Sequence, residues 1–103
     1  MARERHYELV FVVSPAIDAE RIEATATRIN QLIQEEGGKL LSNDNWGMRR
    51  LAYPIQDFKE GTYYFSEFEL DSSRVPKINS TLQASQDILR HLVVRIDKKA
   101  IQP

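Results

Sequence analysis

A two-layer α+β sandwich is the fold this sequence predicts, and three observations predict it. Two amphipathic helical stretches alternate with four strand-like stretches in the order β-α-β-β-α-β. Each helical stretch carries a single apolar stripe, so each covers one side of a sheet. The chain has 103 residues, the size of one domain, and such a chain buries roughly 65% of the surface it exposes when unfolded.

The elements follow in chain order. His6 to Val13 alternates as a buried strand, with Leu9, Phe11 and Val13 on one side and Glu8, Val10 and Val12 on the other. Ser14-Pro15 ends it. Asp18 is the expected N-cap of a helix running to about Glu36, with Ile22, Ala26, Ile29 and Ile33 as its stripe. Gly37-Gly38 stops that helix, because glycine enters the left-handed conformation without a Cβ clash. Lys39 to about Tyr53 reads as a long strand with an irregular middle, and Gly47 suggests a bulge or bend. Pro54 lacks a backbone donor and is expected to end the pairing, with a turn over 56–60. Thr62 to Leu70 is an aromatic-rich strand with Phe68 and Leu70 inward. Ser72 or Ser73 is expected to cap the second helix, with Pro76 in its first turn and Val75, Ile78 and Leu82 as its stripe. Ile88 to Ile96 is the last strand, with Leu92, Val94 and Ile96 on one face. Residues 1–97 are read as a single ferredoxin-like domain, its sheet antiparallel and both helices on one face, and 98–103 as a short tail.

The other sheet face follows from alternation. If the helices cover Leu9, Phe11, Val13, Phe68, Leu70, Leu92 and Val94, the open face carries Glu8, Val10, Val12, Tyr63, Phe65, Glu67, His91, Val93 and Arg95. Val10, Val12, Tyr63, Phe65 and Val93 then make an apolar patch with no helix over it. Such a patch marks a partner site. The competing reading is a bulge that shifts the parity and returns some of these residues to the core.

Charge limits the partners. Fourteen basic residues face fifteen acidic ones, for a net charge of −1. A protein gripping nucleic acid alone through phosphates is usually far more basic, so RNA contact here is local or shared with a more basic partner. Residues 16–36 hold five acids and two arginines, whereas 88–103 hold four bases and one acid. The chain contains no cysteine, which excludes a disulfide framework, a thiolate metal site and a cysteine nucleophile. No apolar run is long enough to span a membrane, and no signal-peptide pattern opens the chain.

Nothing in the chain reads as catalytic. His6 and His91 stand far apart in no ligand spacing, so no metal and no cofactor are expected. Glu67 and Glu69 share a strand face without a nucleophile beside them. Gly37-Gly38 is followed by no phosphate-loop lysine, and Ser14-Pro15-Ala16-Ile17 lacks the glycine-rich loop that an acylphosphatase-like enzyme on this fold would need. No small-molecule substrate is expected. Tyr63, Phe65 and Phe68 match the aromatic spacing of an RNA-recognition motif. However, Lys59 and Gly61 are displaced from it and the first strand offers no exposed aromatic. A stand-alone single-strand RNA binder using Tyr63 and Phe65 as stacking platforms is the alternative reading.

The run Trp46-Gly47-Met48-Arg49-Arg50-Leu51-Ala52-Tyr53-Pro54-Ile55 is more specific. It resembles the signature of the bacterial small-subunit ribosomal protein number six family. Tyr7-Glu8 after basic residues, Asp18 opening the first helix and Gly61 before Tyr63 fit the same layout, so the resemblance spans about 5–97. Pro76 departs from it, standing where the family usually has an ordinary helix former. The resemblance implies a ferredoxin-like structural protein of the 30S subunit, cytoplasmic and ribosomal. It also implies binding to the central domain of 16S rRNA together with small-subunit protein number eighteen, which is small and basic. Arg49 and Arg50, adjacent on an extended segment, point to opposite faces, so one can reach phosphate while the other packs or pairs within the protein. Arg3, Arg5, Arg49, Arg50 and Lys59 are the RNA candidates, with Arg90, Arg95, Lys98 and Lys99 as weaker ones.

Overall fold

The computed structural model describes residues 4–96. β1 (Glu4–Val13) leads through α1 (Ala19–Glu35) to β2 (Lys39–Ile55) and β3 (Phe58–Asp71). A 3-10 turn at Ser72–Arg74 then enters α2 (Val75–Ala84), and β4 (Ile88–Ile96) closes the order. The strands form one antiparallel sheet in the order β2-β3-β1-β4. Both helices pack on one face: Ala26, Ile29 and Ile33 of α1 and Ile78 and Leu82 of α2 meet Leu9, Phe11, Phe68 and Leu70 of the central strands. This is the ferredoxin-like arrangement that the element order predicts.

The ends of α1 show why it begins and stops where it does. Asp18 Oδ1 accepts from the Arg21 N–H at 2.8 Å, satisfying one of the free donors of the first turn. At the other end the Gly37 N–H donates to Gln34 O at 3.0 Å and the Gly38 N–H to Ile33 O at 2.9 Å. These are the paired bonds of a Schellman stop, and Gly37 takes the left-handed conformation at φ +91°. Gly38 is needed for space. A Cβ there would lie 2.7 Å from Ile33 Cγ2 and 2.8 Å from Ile33 O. Gly38→Ala is therefore expected to destabilise the fold by about 1–3 kcal/mol. A urea midpoint unchanged from the parent would show that this helix end yields without cost.

Four expectations are corrected. First, α2 is not introduced by a serine cap. Asp71 Oδ1 accepts from the Ser73 N–H at 2.9 Å and from Ser73 Oγ at 3.0 Å, capping the 3-10 turn before the helix. Second, the β2–β3 turn is the two residues Gln56 and Asp57, with φ of 52° and 69°, not 56–60. Both torsions suit a tight two-residue hairpin turn. The ladder runs to Arg50↔Glu60 and resumes at Ile55↔Phe58. Residues 51–54 thus leave the pairing, and Pro54 lies where no N–H is required. Third, Lys59, expected within that turn, is a residue of β3.

The fourth correction concerns β4. Val13 pairs with Ile88 but Val12 pairs with Arg90, so Leu89 is an extra residue in the ladder. One extra residue reverses the parity of everything beyond it. Val93 lies opposite Leu9 and packs against the core, and His91 and Arg95 pair with Phe11 and Tyr7 on the helix side. Leu92 and Val94 lie opposite Val10 and Glu8 and face outward, 55% and 40% exposed.

Candidate protein and RNA interface

The sheet face turned away from the helices is built by three strands in register. Val10 pairs with Phe65 on one side and Leu92 on the other, and Val12 pairs with Tyr63 and Arg90. Of the expected partner face, Val10, Val12, Tyr63 and Phe65 are brought together, and Leu92 takes the place foreseen for Val93. Val12 is buried although no helix covers it. It closes over Gly61, where a Cβ would come within 2.5 Å of Val12 Cγ1. A pit of about 230 Å³ opens among Val10, Val12, Tyr63, Arg90 and Leu92.

Trp46 extends the patch to the sheet edge, a role that residue pattern alone does not reveal. The ladder passes from Asn45↔Tyr64 to Gly47↔Tyr63, so Trp46 is an extra residue, and Gly47 follows at φ +81°. Freed from the alternation, the indole stacks on Phe65 with centroids 5.3 Å apart and planes within 4°. Arg49 lies over the indole at 5.7 Å, and its Nε donates to Trp46 O at 3.2 Å. The available signal is the tryptophan beside a bulge-forming glycine.

The two ends of the face carry opposite charge. At the β1 start, Glu8 and Glu67 are direct cross-strand neighbours, an unfavourable like-charge pair. His6 Nε2 bonds the Glu67 carboxylate and offsets part of that repulsion. Among the described residues no group of three or more histidines, cysteines or carboxylates could hold a metal ion.

The hairpin end is basic. Arg49 lies opposite Gly61 and Arg50 opposite Glu60, with Lys59 next along β3; Arg49, Arg50 and Lys59 are all exposed. The segment that leaves the ladder folds across the end of the sheet. Tyr53, from one edge strand, meets Arg90, from the other: Arg90 Nη1 donates to Tyr53 Oη at 3.3 Å, and its guanidinium lies 5.8 Å from the ring centre. His91 nearby has its pKa lowered by burial, which favours neutral imidazole. At this end Arg49, Lys59 and Arg90 lie on the open-face side of their strands, and Arg50, next to Arg49, lies on the opposite side of β2. Arg5 does not join them. It pairs with Leu70, roughly 35 Å from Lys59 along β3 at ~3.3 Å per residue. Arg3 and the 98–103 tail lie outside the described residues.

One face sealed by helices and one left bare, apolar at the centre and oppositely charged at its ends, define a binding scaffold on a ferredoxin-like frame. The model of the family "Ribosomal protein S6" matches residues 6–95. The small ribosomal subunit protein bS6 of Carboxydothermus hydrogenoformans is 36% identical over 94 residues, covering 91% of this chain and 98% of that protein. Its counterpart from Moorella thermoacetica is 34% identical over 96 residues, with 93% and 98% covered. The crystal structure of 30S ribosomal protein S6 from Thermotoga maritima superposes with a TM-score of 0.88 at 28% identity, covering 97% of this chain and 100% of that one. The chain belongs to the ribosomal protein S6 family, whose members are structural proteins of the small ribosomal subunit and not enzymes. Among the described residues no helix is long and apolar enough to cross a membrane.

Proposed function

We propose that the chain binds the central domain of 16S rRNA cooperatively with small-subunit protein number eighteen. The bare sheet face carries the proposal: the apolar centre seats the protein partner, and the basic hairpin end meets phosphate. The acidic end at Glu8 and Glu67 suits a basic partner. The net charge of −1 makes binding to RNA alone weak. Each protein then holds the conformation the other and the RNA need, so their binding free energies couple.

Filter retention of a central-domain fragment at fixed salt tests this, with the chain alone, protein eighteen alone, and both. Strong retention only with both is the expected result. Tight retention by the chain alone, with nothing added by the partner, would sink the mechanism. The cation set makes a second prediction. Arg50→Ala and Lys59→Ala are each expected to reduce the slope of log K against log salt by about 0.7–0.9 for every phosphate left without its cation. An unchanged slope in both would move the RNA contact away from the hairpin.

The stand-alone RNA-binder reading meets a physical obstacle. Trp46 already covers one face of the Phe65 ring, so a base has only the other face of Phe65 to stack on unless it displaces the indole. Replacing Tyr63 and Phe65 together by alanine separates the two readings. Loss of binding to short single strands supports the stand-alone module, and weakened docking of the partner supports the joint one.

A further inference from the structure

On the helix side of β2, the strand and α1 leave a crevice of about 160 Å³ with a mixed polar and apolar lining, far more than the roughly 10–15 Å³ a single water needs. Its floor is the stacked pair Phe11 and Tyr64, with centroids 5.3 Å apart and planes 13° from parallel. Glu23 and Asn30 of α1 form one wall, and Asn43 and Asn45 of β2 the other. Its polar groups are held in place. Asn45 Oδ1 accepts the Gly47 N–H at 2.7 Å while Asn45 Nδ2 donates to Tyr64 Oη at 3.4 Å. Ser66, fully buried, donates to Asn30 Oδ1 at 3.3 Å. Among the described residues no hydrogen bond or ion pair engages the Glu23 carboxylate or the Asn43 side chain.

Among the described residues Glu23 is the only charged one lining the crevice. Burial, with Glu23 adding to it, raises the Tyr64 pKa, so its hydroxyl stays neutral. The basic residues of α1, Arg21 and Arg28, line a separate groove towards α2. We infer that the crevice receives an arginine side chain of a basic protein, its guanidinium on Glu23 and the asparagine oxygens and its stem over the Phe11–Tyr64 floor. An anion meets Glu23 with no cation to offset it. An apolar group would leave Glu23 and Asn43 desolvated and unpaired. A guanidinium brings five N–H donors in a planar fork that matches a carboxylate, whereas a lysine ammonium offers a point charge and no plane. β2 is an edge strand, so an arm passing over it reaches Asn43 and Asn45 without disturbing the sheet. The inference does not depend on what covers the open face.

The test is a titration of the isotope-labelled full chain, followed by NMR, with the capped peptide acetyl-Gly-Arg-Gly-amide. Parallel arms use acetyl-Gly-Lys-Gly-amide, inorganic phosphate and a short single-stranded RNA. The arginine peptide is expected to shift the backbone amides of Glu23, Asn30, Asn43 and Asn45 saturably. The lysine peptide is expected to bind more weakly, and phosphate to leave those amides unmoved. Glu23→Gln, an exposed helix position, is expected to weaken the arginine peptide about tenfold. No saturable shift, an equal response to lysine, an unchanged affinity in Glu23→Gln, or a response to RNA in place of arginine would each overturn the assignment.

Discussion

Phe68→Ala is expected to lower the unfolding free energy by about 3–5 kcal/mol, the range for deleting a fully buried ring. Phe68 has no exposed surface and stacks on Tyr7 at 5.7 Å. Since a domain this size is stable by only about 5–15 kcal/mol in total, the variant should lose much of its urea resistance. Phe65, three residues away, faces the other side of the strand. Phe65→Ala forfeits the Trp46 stack, worth about 0.5–1.5 kcal/mol, and leaves the core intact. Its effect should fall on assembly. As an aromatic anchor at the centre of the proposed docking face, its truncation should weaken joint rRNA retention by at least about 30-fold, the scale of a 2 kcal/mol hot spot. Urea melts and joint retention on both variants decide the matter. A Phe65→Ala protein that assembles like the parent would remove the sheet face from the docking surface. A Phe68→Ala protein within about 1 kcal/mol of the parent would mean that the core reorganises around the hole.

What alternation can read, and what it cannot, is visible strand by strand. On β1 and on the second half of β3 the acidic residues mark the parity: Glu8, Glu67 and Glu69 take one side, so Leu9, Phe11, Phe68 and Leu70 can be placed inward by counting from them, and the structure agrees. On α1 the cap, stripe and glycine stop are equally plain. β4 defeats the same logic because Leu92, Val93 and Val94 are all apolar: either parity gives an apolar inner row, and the extra residue Leu89 leaves no glycine or proline to mark it. The hairpin turn is misplaced for a related reason. Gln56 and Asp57 take positive φ without the glycine that usually advertises it. The cation cluster is only partly legible. Arg49 and Arg50 stand in a specific signature, but the exclusion of Arg5 depends on strand register, and the meeting of Tyr53 with Arg90 depends on a hairpin crossing the sheet.

The parity of β4 also yields the sharpest test of the docking face. Leu92→Glu places a carboxylate on a side chain that is 55% exposed, so the protein is expected to fold with a near-parental urea midpoint. Docking should suffer instead. A partner pressed over Val10, Phe65 and Leu92 must bury that carboxylate beside apolar groups, and a buried charge without a partner is strongly unfavourable. Joint rRNA retention is expected to fall by at least about 100-fold, corresponding to roughly 3 kcal/mol. Val93→Glu should behave in the opposite way. Its side chain packs against the core opposite Leu9, so the carboxylate is driven into apolar surroundings inside the folded chain itself and the melt should collapse. The two variants differ by one position and carry the same new group, so composition and net charge cancel between them. If Val93→Glu folded well and failed to dock while Leu92→Glu unfolded, strict alternation would hold through Leu89. The apolar pit would then belong to the core, and the partner would have to bind elsewhere.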